Sequence, residues 1–150
     1  MNHKPKFVGK VHVFVDGASR GNPGHAGIGG IVFDADDNTK LDDFSEYIGQ
    51  KTNNEAEYMA IIKGLSLARK WTRKVVQVCS DSEFAIRQIN KRYRIKEDRM
   101  EPLCLQVISK AQLFDSVQFI HVSSNNPGIK RADMLSKQAI DRKLFIPLET

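Results

Sequence analysis

Four acids fall where elements of structure begin or end: Asp16, Glu57, Asp81 and Asp133. Together they offer an all-oxygen donor set. Two carboxylates ~4 Å apart repel by about 4 kcal/mol at a surface-like dielectric, so a cluster of them demands protons or cations. Divalent ions meet that demand, and oxygen donors without clustered His or Cys favour Mg²⁺ or Mn²⁺ over zinc. Two such ions ~4 Å apart clamp the attacking and leaving oxygens of a phosphodiester displacement. A local account competes with this one. Asp16 caps a turn, while Glu55, Glu57 and Asp133 stand at helix starts, where the macrodipole favours negative charge. Spacing by itself leaves both accounts standing.

The elements that must position these acids are legible from periodicity. Val11, Val13 and Val15 alternate, with Phe14 on the second face, which predicts a mostly buried strand that ends at Asp16. Gly17, Gly21, Pro23 and Gly24 then predict a turn. Residues 26–33 predict a second strand whose glycines imply close approach of another backbone or a bulge. Residues 40–49, more polar, predict a third strand near an edge. Thr52, Asn53, Asn54 and Glu55 open a helix, with an apolar stripe through Tyr58, Ile61, Ile62, Leu65 and Ala68 to about Trp71. Residues 74–80 predict a buried central strand ending before Asp81, and Glu83–Ile89 a helix. A further helix follows over 99–114, a fifth strand over 117–122, a loop over 123–128 and a last helix over 130–141. Hairpins in the first half and crossovers in the second predict an α/β domain. Its mixed five-stranded sheet has three antiparallel strands and two parallel ones, with helices on both faces.

The 150 residues suit one domain over 1–150, with loose ends at 1–10 and 142–150. No apolar run approaches the ~20 residues of a membrane span, and the basic start is not followed by a secretory apolar segment. Cys79 and Cys104 show no metal-ligand spacing and read as two buried thiols of a reducing compartment, which predicts a cytoplasmic protein. The net charge of +5 is compatible with a polyanionic partner without establishing one.

The run Asp16-Gly17-Ala18-Ser19-Arg20-Gly21-Asn22-Pro23-Gly24, then Thr52-Asn53-Asn54-Glu55-Ala56-Glu57-Tyr58, then Ser80-Asp81-Ser82, then Arg131-Ala132-Asp133 resembles type 1 ribonuclease H. The likeness runs in order over about residues 11–140, and its first two motifs are the specific ones. The resemblance implies a ribonuclease H-like fold and a monomeric endoribonuclease. Such an enzyme cuts the RNA strand of RNA/DNA hybrids with two Mg²⁺ ions, Mn²⁺ substituting, and leaves 5′-phosphate and 3′-hydroxyl ends. It places the catalytic, metal-binding acids on Asp16, Glu57, Asp81 and Asp133, with Glu57 preferred over an exposed Glu55. It also places substrate contacts on Ser19, Asn22, Thr52, Asn53 and Asn54: the amides reach 2′-hydroxyls in the minor groove and Thr52 reaches a DNA-strand phosphate. Double-stranded RNA is a further candidate partner.

Two departures from the family pattern stand out. The mobile loop His of many members is replaced by Ser123-Ser124-Asn125-Asn126, and His121 is expected to be a structural strand residue. The long basic protrusion with tryptophans is replaced by the shorter Lys91-Arg92-Tyr93-Arg94-Ile95-Lys96. His25 is expected to be an exposed bystander. The missing loop His motivates an alternative, a catalytically weak hybrid- or duplex-binding module of the same fold.

Overall fold

The computed structural model describes residues 7–91 and 100–145. Its elements are β1 (Lys10–Gly21), β2 (Gly24–Asp34), β3 (Lys40–Lys51), α1 (Asn53–Ala68), β4 (Val75–Ser80), α2 (Glu83–Lys91), α3 (Met100–Ala111), β5 (Ser116–His121) and α4 (Pro127–Leu144). The strands lie in the order β3-β2-β1-β4-β5. β1 and β2, and β2 and β3, pair antiparallel, while β4 runs parallel to β1 and to β5. The mixed sheet, the edge position of polar β3 and the interior position of apolar β4 are as the hydrophobic patterning predicts.

Alternation along β1 divides the two faces. Val11, Val13 and Val15 are fully buried, in a cluster with Tyr58, Ile61 and Leu65 of α1 and with Val76 and Val78 of β4. Ala85, Ile86 and Ile89 of α2 and Cys104 and Val107 of α3 join that cluster, so three helices cover one face. The opposite face receives α4, which lies close on β2. α1 starts where expected, because Thr52 and Glu55 form a reciprocal capping box. Glu55 is therefore half-buried and engaged at the helix start rather than an exposed acid. The helix stops at Ala68, short of Trp71.

Other boundaries also depart from expectation. β1 does not end at Asp16 but continues to Gly21, because its antiparallel ladder with β2 runs from Val11↔Asp34 to Gly21↔Gly24. What ends near Asp16 is the parallel ladder with β4, whose last pair is Phe14↔Cys79. The turn is confined to the tip at Asn22 and Pro23, and Gly17 lies within the strand. α4 begins three residues before Lys130. Asn126 caps it by accepting from the Gly128 and Ile129 amides, and Pro127 occupies a first-turn position where its missing N–H costs nothing. Residues 142–144, expected in a loose end, form the last turn of α4. At the other end Val8 is tied down, its N–H donating to the Trp71 carbonyl and its own carbonyl accepting from the Thr72 hydroxyl. Cys79 and Cys104 are both buried. Among the described residues no helix is long and apolar enough to cross a membrane.

Candidate active site

Two glycines let helices approach the β1 strand at Asp16. A Cβ on Gly17 would stand 2.3 Å from the Ala56 carbonyl oxygen, far inside van der Waals contact. Glycine there allows the start of α1 to lie directly on the strand. The Gly17 N–H then donates to Glu57 Oε1 at 2.7 Å and also to Asp16 Oδ1 at 3.0 Å. On the other face Gly29, the cross-strand partner of Asp16, lies beneath α4, where a Cβ would sit 2.3 Å from the Ala132 carbonyl oxygen. That contact brings the neighbouring Asp133 to the same strand position. The glycines of β2 thus serve the close backbone approach expected of them, and a register shift between Ala26 and Gly27 supplies the irregularity.

Asp81 enters from the end of β4. Ser80 is buried, and its hydroxyl accepts from the Ser82 amide at 3.0 Å. The Ser82 hydroxyl in turn accepts from Ala85 N at 3.2 Å at the start of α2. Asp81 is held in the short link between the two elements.

Ligand oxygens of Asp16, Glu57 and Asp81 lie within 4.8 Å of one another. Asp16 is buried, and its carboxyl is pushed up to about 10, first by loss of hydration and then by the charges of Glu57 and Asp81. Glu57 is raised to about 7, chiefly by burial, with the Gly17 N–H working in the opposite sense. Asp81 is raised by burial and by Asp133, and held down by its own backbone N–H and by His121. The Asp16 carboxyl interacts with those of Glu57, Asp81 and Asp133. Without a cation, burial and mutual repulsion therefore favour a proton on the cluster, at Asp16 most strongly. Such a set suits a hard divalent ion, which would take the place of that proton.

Asp133 completes the convergence less tightly. It lies outside the set within 4.8 Å and forms an ion pair with Lys137 at 3.0 Å, one turn along α4. With α4 beginning at Pro127, Asp133 stands in the second turn rather than the first. The helix dipole, which falls off within one turn, is therefore a weaker reason for an acid there.

Beside the acids, the hairpin tip and the start of α1 are tied by amides. Asn22 Oδ1 accepts from Asn53 N at 3.0 Å, and Asn53 Oδ1 accepts from Ser19 N at 3.2 Å. The Ser19 hydroxyl donates to the Lys51 carbonyl at 2.7 Å and contacts the Gly21 carbonyl. Both carboxamides spend their oxygens internally, which leaves their NH₂ groups to donate outward. Asn22 and Asn53 are exposed, while Ser19, Thr52 and Asn54 are half-buried. Arg20 adds a tether from this tip to Asp141 of α4 at 2.6 Å.

Two histidines add to what was expected of them. His121 is exposed at the end of β5 opposite Ser80, where its charge acts on Asp81. It is the last residue of β5, as expected of a strand residue, and it also stands at the rim of the acid cluster. Only register could have revealed this, because the parallel pairing with β4 places residue 121 beside the residue preceding Asp81. His25 is half-buried and its Nδ1 lies 2.8 Å from the Tyr47 hydroxyl. Of the basic segment, Lys91 is exposed at the end of α2, and the remainder, 92–96, lies outside the described residues.

A twisted mixed sheet with acids gathered at the carboxyl ends of its parallel strands defines a class of fold shared with known nucleases. The family model described as reverse transcriptase-like matches residues 14–139. The chain is 30% identical over 138 residues to ribonuclease HI of Halobacterium salinarum, covering 92% of this chain and 68% of that one. The structure of the ribonuclease H1 from that archaeon superposes with a TM-score of 0.82, covering 89% of this chain and 98% of that one. The N-terminal ribonuclease H domain of a Mycobacterium tuberculosis protein, 36% identical, superposes at 0.81 and covers 88% and 99% of the two chains. A ribonuclease H1 solved in complex with RNA/DNA hybrid, 33% identical, superposes at 0.80, with 89% and 99% covered. The chain spans about a third (36%) of the length of the mycobacterial relatives it matches. The chain belongs to the ribonuclease H family.

Proposed function

We propose that this protein hydrolyses the RNA strand of RNA/DNA hybrids with two divalent cations, Mg²⁺ in preference and Mn²⁺ in substitution, leaving 5′-phosphate and 3′-hydroxyl ends. The observation that carries this reading is the meeting of Asp16, Glu57 and Asp81 within 4.8 Å. Metal ions held there would acidify the attacking water and neutralise the charge that builds on the scissile phosphate. Asp16 and Asp81 would serve both ions, Glu57 one of them and Asp133 the other. The Gly17 N–H fixes the Glu57 carboxylate against β1, so that residue keeps its place as substrate arrives. Water would attack the phosphorus and give up a proton to solvent, the P–O3′ bond would break, and the 3′-oxygen would take a proton from solvent to leave as a hydroxyl.

Recognition falls to the neighbouring polar surface. Asn22 and Asn53, with their oxygens occupied, have NH₂ donors free for 2′-hydroxyls and base edges in a minor groove, the feature that tells RNA from DNA. Ser19 and Asn54 lie on the same surface, and the Thr52 hydroxyl is suited to a DNA-strand phosphate.

The test is a panel of RNA/DNA, RNA/RNA and DNA/DNA duplexes incubated with wild type and with Asp16→Asn across a titration of Mg²⁺ and of Mn²⁺. Hybrid cleavage by wild type alone is the expected result. Equal cleavage by both proteins, or none by either in any metal, overturns the reading. Salt-sensitive binding without cleavage would replace it with a binding module.

A further inference from the structure

The face of the sheet that carries Asp16 continues, uncovered, below the start of α4. There β1 and β2 present Phe14 and Phe33, half-buried, with ring centroids 6.0 Å apart and planes at 77°. Phe14 packs against Gly128, where a Cβ would stand 2.4 Å from the ring, so α4 starts with its first turn pressed on one edge of this aromatic floor. The result is a groove of about 480 Å³, with His12, Asn38, Asn126 and Arg131 around the two rings. That is within the 300–1,000 Å³ typical of small-ligand sites.

The lining is selective in its chemistry. Among the described residues no carboxylate lines the groove. Arg131 is exposed at its wall and, among the described residues, forms no ion pair. Asn126 uses its Oδ1 to cap α4, which leaves its NH₂ as a donor. An apolar floor of one ring face and one ring edge, amide donors at the rim and a guanidinium that has no ion pair among the described residues complement an aromatic ring joined to an anion. Stacking on the aromatic residues is tolerant of base identity, whereas Arg131 demands the phosphate.

The groove also shares a face of β1 with the first of the clustered acids. Phe14 is two residues before Asp16 on the same face of β1, about 7 Å away along the strand. We propose that this groove binds a nucleotide, its base against Phe14 and Phe33 and its phosphate on Arg131, separate from the contacts of Asn22, Asn53 and Thr52. Two sources share that chemistry, a free mononucleotide and an unpaired nucleotide of a nucleic-acid strand lying on the acid cluster. Only the second source rests on the nuclease reading above.

The experiment is amide NMR of the whole protein in EDTA, titrated separately with AMP, adenosine, inorganic phosphate and the tetranucleotide rA4. Saturable shifts with AMP at Phe14, Phe33, Gly128 and Arg131 are expected, weakened about tenfold by Arg131→Gln and about fivefold by Phe33→Leu. Phe33→Leu keeps an apolar side chain, and the untitrated spectrum of each variant reports whether it is folded. Tighter binding of rA4 than of AMP at the same amides assigns the site to a strand, and equal binding assigns it to the free nucleotide. The proposal is overturned if those amides do not shift, if shifts are confined to Gly17, Asn22 and Asn53, if phosphate alone reproduces them, or if both folded variants bind as wild type does. Hybrid cleavage, measured in parallel, reports on the nuclease reading alone.

Discussion

Replacing Asp16 with Asn should abolish cleavage and, in the absence of metal, make the protein more stable. Asp16 is 6% exposed, and its carboxyl is pushed up to about 10 by burial and by the charges of Glu57 and Asp81. In the unfolded chain the same group ionises near 3.9. Between these values the folded state holds a proton that the unfolded state has released. Stability therefore falls as pH rises from about 4 towards about 10. At pH 7 the loss for this one group is at most about 4 kcal/mol, from three pH units at about 1.4 kcal/mol each. Asn cannot ionise and lacks this slope. In EDTA, Asp16→Asn is expected to gain about 2–4 kcal/mol over wild type at pH 7 and little at pH 4.5. In a domain of this size such a gain raises Tm by roughly 4–16 °C. The assay is urea or thermal unfolding of both proteins in EDTA between pH 4.5 and 8.5, repeated in saturating Mg²⁺. Metal at a hundred times its Kd should restore about 2.7 kcal/mol to wild type and little to the variant. Parallel stability curves for the two proteins in EDTA, or a wild type that gains stability between pH 5 and 8, would refute this account of the acid cluster.

Three further outcomes follow from the same contacts. Gly17→Ala places a methyl 2.3 Å from the Ala56 carbonyl oxygen, so α1 must retreat from β1. Overpacking of this kind costs about 1–3 kcal/mol in unfolding assays, and cleavage measured well below Tm should fall at least tenfold further as Glu57 leaves Asp16. Thr52→Ala removes the acceptor that holds Glu55 N at 3.1 Å and with it the capping box, at about 1 kcal/mol of stability. KM for hybrid should rise more than kcat falls, and Thr52→Ser should restore both. Burial pushes the Cys79 thiol up to about 11, so iodoacetamide at pH 8 should leave native Cys79 unmodified by mass spectrometry and label it quickly in urea.

Much of the architecture was legible in local patterns, because each pattern reports a local physical requirement. The alternation of Val11, Val13 and Val15, the apolar run of β4 and the capping residues at Thr52–Glu55 each specify an element without knowledge of its neighbours. The boundaries that depart from expectation are those where a distant partner decides or where one local composition suits two conformations. β1 runs past Asp16 because β2 continues to pair with it, and α4 begins at Pro127 because Asn126 caps a segment whose Asn-Pro-Gly composition equally suits a loop.

The acids show the same division. Their types and their places at element ends belong to the sequence, and so does the order of motifs that resembles ribonuclease H. Their convergence does not, because residues 16, 57 and 81 are brought within 4.8 Å only by a parallel pairing and a close helix approach. His121 makes the point most plainly. By composition it is a strand histidine, and only the register that pairs it with Ser80 gives its charge a hold on Asp81. Local chemistry is written residue by residue, whereas proximity across the sheet depends on pairings between segments distant in the chain, and those exist only once the whole domain has packed.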